Sequence, residues 1–242
     1  MRIALISDLH GNMVALRAVL EHIARSRADQ IVCLGDVATL GPAPQQIIET
    51  LADLGCACIL GNHDAFLLDP ELIHRYTNSP VIVAAVDACR AALGPADLDF
   101  LRTFLPALDL EVDGATLRLF HGSPRSHMED LLSTTSADAL DRALGEHRAT
   151  VMAGGHTHIQ MVRQHHGTLL VNLGSLGAPF ETYVSGGSPK ILAHAEYATV
   201  EAGGGSVDVT LHRVPLDRKK LIAEVERWDN PLQKYLLTQY RS

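Results

Sequence analysis

Cys56-Ala57-Cys58-Ile59-Leu60-Gly61-Asn62-His63-Asp64 is the stretch from which the fold is read. Its first five residues form a compact apolar run, expected as a buried strand. Gly61 ends that strand, and an amide, an imidazole and a carboxylate then leave it side by side on a tight turn. Such groups are costly to bury and add nothing to a core. Alone, the tetrapeptide reads equally well as a polar turn. Four similar stretches elsewhere give it meaning.

The first precedes it. Residues 3–7 are apolar and run into Asp8-Leu9-His10-Gly11-Asn12. Leu16, Val19, Leu20 and Ile23 then follow at helical spacing, with Asn12 as the expected cap. Residues 30–34 are the next apolar run, ending in Gly35-Asp36. Gly41-Pro42-Ala43-Pro44 breaks the chain, and residues 45–54 read as a helix. Three strand-then-polar-loop units separated by helices predict an α/β sheet with parallel strands, whose ligands bind beyond the carboxyl ends.

Residues 65–107 differ. Two helical stretches, 80–92 and 96–104, are punctuated by prolines, and the segment reads as a helical cap inserted into a single domain spanning 1–242, or as ordinary packing helices. From residue 108 strands return. Residues 108–112 and 116–120 flank Asp113-Gly114, a hairpin signal, and lead into His121-Gly122-Ser123-Pro124-Arg125. A helix over 136–144 with Ser136 as cap precedes a strand at 150–153, then Gly154-Gly155-His156-Thr157-His158. A hairpin over 160–164 and 168–172 ends near Gly174-Ser175. Residues 190–200 and 207–214 read as an antiparallel edge pair, and 216–228 and 231–240 as helices.

Composition narrows the class. The chain has 242 residues, 47% hydrophobic and 20% charged, with a formal net charge of −8 and no basic run. That is an ordinary globular balance without the footprint of an extended nucleic-acid-binding face. No apolar run is long enough to span a bilayer, and the N-terminal run is too short for a signal peptide. Cys33, Cys56, Cys58 and Cys89 do not complete a zinc site and read as reduced thiols, so a soluble cytoplasmic protein is expected.

The polar residues at strand ends are Asp8, His10, Asp36, Asn62, His63, His121, His156 and His158. Five of the thirteen histidines are thus expected at one end of one sheet. A lone histidine there is usually a satisfied core or turn residue. Five, with two aspartates and an asparagine, call for a cation. Imidazole with carboxylate and no thiolate suits Mn, Fe, Zn or Ni, with Mn favoured. Eight groups exceed the four to six ligands of one ion, so two ions sharing a carboxylate are expected. Asp36, arriving alone from its strand, is the expected bridge.

Asp8-x-His10, Gly35-Asp36, Gly61-Asn62-His63-Asp64, His121-Gly122 and Gly155-His156-x-His158 resemble, in order and spacing, the motifs of calcineurin-like metallophosphoesterases. The resemblance runs from residue 3 to about residue 178. Gly41-Pro42-x-Pro44, His121-Gly122-Ser123-Pro124-Arg125 and Asn172-Leu173-Gly174-Ser175 look like its small bacterial phosphodiesterase branch. It implies a four-layer αββα sandwich of two mixed sheets flanked by helices. It further implies one ion on Asp8, His10, Asp36 and His158, and another on Asp36, Asn62, His121 and His156. The protein-phosphatase and diadenosine tetraphosphatase branch has a second Asp and an Arg after the bridging Asp; Val37-Ala38-Thr39-Leu40-Gly41 stands here instead. His63 therefore lacks the partner it has in that branch.

The implied activity is hydrolysis of a small phosphodiester or nucleotide by a hydroxide shared between the ions. Asn62 would stabilise charge on the phosphate and His63 would protonate the leaving oxygen. Arg125 is a candidate phosphate grip, weighed against a solvated surface arginine. Asp64 is read as either an acceptor for a ligand imidazole or a helix cap, and His127, His165 and His166 as surface histidines. The rival readings are a phosphomonoesterase, a scaffold of the same fold, whose known versions lose ligands, and a nuclease of the same superfamily. The partner expected is a small phosphoester, with no membrane and no long nucleic acid; a homo-oligomer is compatible with the apolar stripe of the last two helices.

Overall fold

Strand and helix alternate at the start of the chain as the apolar runs require. β1 (Arg2–Ile6), α1 (Met13–Ser26), β2 (Gln30–Cys33), α2 (Pro44–Leu54) and β3 (Ala57–Cys58) follow in order in the computed structural model, which describes residues 1–184 and 186–241. All three strands are parallel. Asn12 opens α1 by accepting the Ala15 N–H at 3.0 Å. Pro44 opens α2, where its missing N–H would have had no helical partner anyway. β3 is shorter than the apolar run around it, but the run stays tied in: the Ile59 N–H donates to the Cys33 carbonyl and the Leu60 N–H to the Leu105 carbonyl, both at 2.8 Å.

Asn62, His63 and Asp64 are the first turn of α3 (Asn62–Leu68) rather than a free turn. Asp64 accepts the Gly61 N–H at 2.9 Å and so closes the helix start. After α3 come a 3-10 helix (Pro70–Arg75), α4 (Pro80–Ala91) and α5 (Pro95–Leu101). Phe66, Leu67, Val86 and Leu101 pack into the same apolar cluster as α1 and α2.

β4 (Leu108–Val112), β5 (Ala115–Leu119), β6 (Val151–Gly154), β7 (Gln160–His165) and β8 (Thr168–Leu173) build a second mixed sheet in the order β4-β5-β6-β8-β7. α6 (Ala137–Leu144) covers it, capped by Ser136 as expected. β9 (His194–Gly203) and β10 (Ser206–Pro215) return to the first sheet, ordered β10-β9-β1-β2-β3. The expected edge pair is therefore half right: β9 lies inside the sheet against β1, and only β10 forms the edge. α7 (Arg218–Glu226) and α8 (Gln233–Arg241) complete the chain.

Side-chain alternation makes the layers. Ile3 and Leu5 of β1 face Leu117, Leu119, Val151 and Val171 of the other sheet across a shared core. Ala4 and Ile6 face α1 and α2. Met152 and Leu170 carry α6 on the far side. Two mixed sheets thus lie face to face with helices outside, the αββα sandwich anticipated above. No helix among the described residues is long and apolar enough to cross a membrane.

Candidate metal centre

The histidines expected at the end of one sheet come from two. Asp8, His10, Asp36, Asn62 and His63 follow β1, β2 and β3, whereas His121, His156 and His158 follow β5 and β6. Face-to-face packing brings both sets of strand ends together, so residues 148 apart in sequence touch: the His156 N–H donates to both Asp8 oxygens at 3.0 and 3.2 Å.

The backbone is bent to aim these side chains. Asp8, His10, Asp36, His156 and His158 all have left-handed φ, between 43° and 69°. That conformation costs a non-glycine residue on the order of 1–3 kcal/mol. Loop-to-loop bonds hold it, such as Asp8 N–H to the Gly35 carbonyl (2.9 Å) and His10 N–H to that of Asp36 (3.0 Å). Two glycines leave room. A Cβ on Gly61 would stand 2.1 Å from Asp36 Oδ1, and one on Gly155 would stand 2.2 Å from Asp8 Oδ2.

Two ligand-type groups result, each with its donor atoms within 4.8 Å of one another: Asp8, His10 and His158, and Asp36, His121 and His156. All six residues are buried. His121 Nδ1 bonds the Leu34 carbonyl and His158 Nδ1 that of Ala178, both at 2.6 Å. Each Nε2 is thereby turned inward. Asp36 Oδ2 lies between the groups, 3.3 Å from His121 Nε2 and 3.9 Å from His10 Nε2. Its Oδ1 is occupied by the His63 N–H at 2.8 Å. Asn62 Oδ1 sits 3.2 Å from His121 Nε2.

Electrostatics show what the cluster demands. Burial works against charge on Asp8, but His158 and then His121 outweigh it and hold the carboxyl at about 2. Asp36 is likewise held well below the carboxylate range, against burial, by His121 and His63. Burial also opposes charge on His121, yet Asp36 and Asp8 push it up to about 10; Asp8 raises His158 in the same way. At His10 and His63 burial wins and pulls them down to about 3 and about 4. Two ionised carboxylates in a dry site require positive charge. His10 Nε2 and His158 Nε2 lie 3.0 Å apart, close enough to share one proton, and a cation held by both lone pairs would displace that proton. The Asn62 amide nitrogen and His63 Nδ1 are buried without hydrogen-bond partners among the described residues. This donor set fits divalent transition ions.

Asp64 touches no ligand imidazole. Its carboxylate takes the N–H groups of Asp36 (2.8 Å), Val37 (2.9 Å) and Gly61 (2.9 Å), caps α3 and braces the Asp36 loop. Burial, and then Asp36, push it up to about 7 against those bonds. Asn172 does for the other sheet what Asp64 does for the first: its amide donates to Gly155 O (2.5 Å) and Thr157 Oγ1 (3.0 Å), fixing the turn that carries His156 and His158. Arg125 is exposed, pairs with Glu129 and does not line the cavity beside the centre. His165, read as a surface residue, is buried against Asp141 at 2.7 Å. Its place on the α6-facing side of β7, in step with Met161, was the available signal. Sequence reasoning missed the rim: Asp130 lies 3.3 Å from His156 Nε2 and accepts the Tyr183 hydroxyl at 2.6 Å, and Phe180 stacks on His158 with ring centres 4.2 Å apart.

A family profile described as the calcineurin-like phosphoesterase superfamily domain matches residues 1–210. The chain belongs to that superfamily. It is therefore a member of a dimetal-dependent family of phosphoric ester hydrolases, and its Asp and His clusters fit metal sites. It is 29% identical over 174 residues, 72% of this chain and 69% of the relative, to the uncharacterized protein MJ0912 of Methanocaldococcus jannaschii. It is 33% identical over 90 residues to phosphodiesterase YfcE of Escherichia coli, covering 33% of this chain and 48% of that enzyme. Among solved structures it resembles a metallophosphoesterase from Sphaerobacter thermophilus, with a TM-score of 0.75, 24% identity and coverage of 100% and 99% of the two chains. The hypothetical protein PH1004 from Pyrococcus horikoshii OT3 aligns with a TM-score of 0.79 and 19% identity over 97% of each chain. Those two likenesses speak to the fold of this phosphoesterase alone.

Proposed function

We propose that this phosphoesterase hydrolyses a small phosphodiester, using two divalent transition ions with manganese the first candidate. The observation that carries the reading is Asp36 Oδ2, which stands 3.3 Å from His121 Nε2 of one ligand group and 3.9 Å from His10 Nε2 of the other, while its sister oxygen is tied to the His63 N–H. Asp8, His10, Asp36 and His158 would hold one ion; Asp36, Asn62, His121 and His156 would hold the other. When bound, such a pair supplies Lewis acidity and lowers the pKa of water.

The chain's own groups do the rest. With Asn62 Oδ1 turned toward His121, its unpartnered amide nitrogen is left to donate to a phosphate oxygen. His63 lines the adjoining cavity, and its ring is held by edge contacts with His10, Phe66 and Tyr76 instead of by a carboxylate. Burial keeps it neutral at rest; an arriving phosphate anion raises its pKa, and the proton it then carries goes to the leaving oxygen. Residues 65–107 bring Tyr76, Val81 and Ile82 to the cavity wall, and we read them as a cap within a single domain. The four unpaired cysteines suit a reducing cytoplasm.

The test is to strip the metals, restore Mn and assay bis(p-nitrophenyl) phosphate against p-nitrophenyl phosphate. Mn-dependent turnover with the higher kcat/KM for the diester is expected. Ions bound without turnover of either ester would make the protein a binding module of this fold instead.

A further inference from the structure

The metal centre opens into a cavity of about 600 Å³. That volume exceeds the needs of a phosphate and is of the size that holds a drug-sized ligand. His10, His63, His156 and His158 form its floor, and its walls run outward to α8. Four of the chain's five tyrosines line it: Tyr76, Tyr183, Tyr235 and Tyr240, joined by Phe180. No lysine or arginine lies among its described lining residues, and the one carboxylate on the wall is Asp130. Val81 and Val184 face it while remaining 48% and 38% exposed.

These features restrict what would fill it. Each phosphate charge taken from water needs a cation or a set of donors. The metal centre would satisfy one phosphate; the walls provide no positive side chain for a second. The rings offer flat apolar surface, and aromatic pairs gain roughly 0.5–1.5 kcal/mol beyond the burial of area. Tyr240 adds a directional group: it is 5% exposed and lines the cavity. A phenol hydroxyl on the cavity wall favours a ligand that has a polar edge as well as a flat face.

We infer that the substrate is a singly charged phosphodiester whose ester group is a neutral aromatic heterocycle of the nucleobase kind, seated among the cavity tyrosines with its polar edge toward Tyr240. This rests on the phosphodiesterase reading above and adds the substrate class. A dinucleoside polyphosphate, with several charges in a row, is the wrong ligand for these walls.

The experiment compares thymidine 5′-(p-nitrophenyl) phosphate with methyl p-nitrophenyl phosphate on the full-length Mn-loaded protein. Both esters carry one charge and release the same p-nitrophenolate. The thymidine ester is expected to have the higher kcat/KM by about tenfold, mostly through KM, as one buried stacking and hydrogen-bonding group would give. Tyr240→Phe and, at the exposed wall, Val81→Arg should each pull that ratio toward one. Mn-dependent turnover with equal kcat/KM for the two esters, or a ratio unmoved by both variants, overturns the substrate class and leaves the phosphodiesterase reading standing. Faster hydrolysis of a dinucleoside tetraphosphate than of the thymidine ester overturns it too. Absence of turnover on both esters with ions bound overturns the phosphodiesterase reading itself, and the substrate class with it.

Discussion

Gly61→Ala should empty the metal centre without touching a ligand. The added Cβ would stand 2.1 Å from Asp36 Oδ1 and 2.5 Å from the Asp36 backbone nitrogen, where real Cβ contacts essentially never fall below 3.0 Å. Gly61 itself has an ordinary extended backbone, φ −85°, so the cost is crowding and not conformation. Relief requires Asp36 to retreat by about 1 Å, whereas metal ligands tolerate only ~0.2 Å about their distances. Asp36 cannot retreat freely, because its N–H is bonded to Asp64 and its Oδ1 to His63. Overpacking of this kind costs about 1–3 kcal/mol of stability, a loss that a domain with a large core survives. Mn content per chain and affinity by titration calorimetry, with thermal unfolding alongside, separate the two effects. The expected variant is folded, melts several degrees lower and binds Mn at least about tenfold more weakly. Gly203→Ala, where a Cβ meets nothing within 4 Å, is the control and should match wild type. A folded Gly61→Ala protein with wild-type Mn affinity would refute the claim that this close approach fixes Asp36.

Three further outcomes follow from the same geometry. His63→Ala should keep both ions and lose about 10²–10⁴-fold in kcat on a diester with a poor leaving group, the usual size of a lost proton donor; an unchanged rate removes His63 from the reaction. Mn affinity should rise with pH. His121, raised to about 10, carries a proton near neutrality that an ion must displace, and the raised His158 acts in the same direction, so affinity climbs by about tenfold per pH unit for each proton released. A flat profile between pH 6 and 8 would mean that the imidazoles are already neutral. Asn172→Asp replaces a donor to Gly155 O and Thr157 Oγ1 with an acceptor. It should cost about 1–3 kcal/mol in urea unfolding, and an equal or higher stability would show that the turn is held by other contacts.

Much of the fold was legible because its signals are local. The strand ends at Asp8 and Asp36, the Asn12 and Ser136 caps and the Asp113-Gly114 hairpin each depend on residues a few positions apart. β9 was misplaced because its partner β1 lies almost 200 residues away, and an alternating strand looks the same inside a sheet as at its edge. The candidate ligands are legible from their types and from the family resemblance. Their convergence from two sheets, and the left-handed backbone at five of them, depend on face-to-face packing that no short window contains. Asp64 could be read as a cap from its place after Gly61, but its hold on the Asp36 loop crosses 28 residues. The tyrosine-lined cavity was wholly hidden, since its rings come from the segment after α3, the loop before β9 and α8.

The central claim is a pair of ions that share Asp36. It is tested most directly by counting Mn per chain, by mass spectrometry of the dialysed protein, in wild type and in Asp36→Ala, with bis(p-nitrophenyl) phosphate turnover measured on the same samples. Two ions per wild-type chain are predicted, with loss of both ions and of turnover in the variant. An Asp36→Ala protein that holds two ions and hydrolyses the diester at the wild-type rate would contradict it.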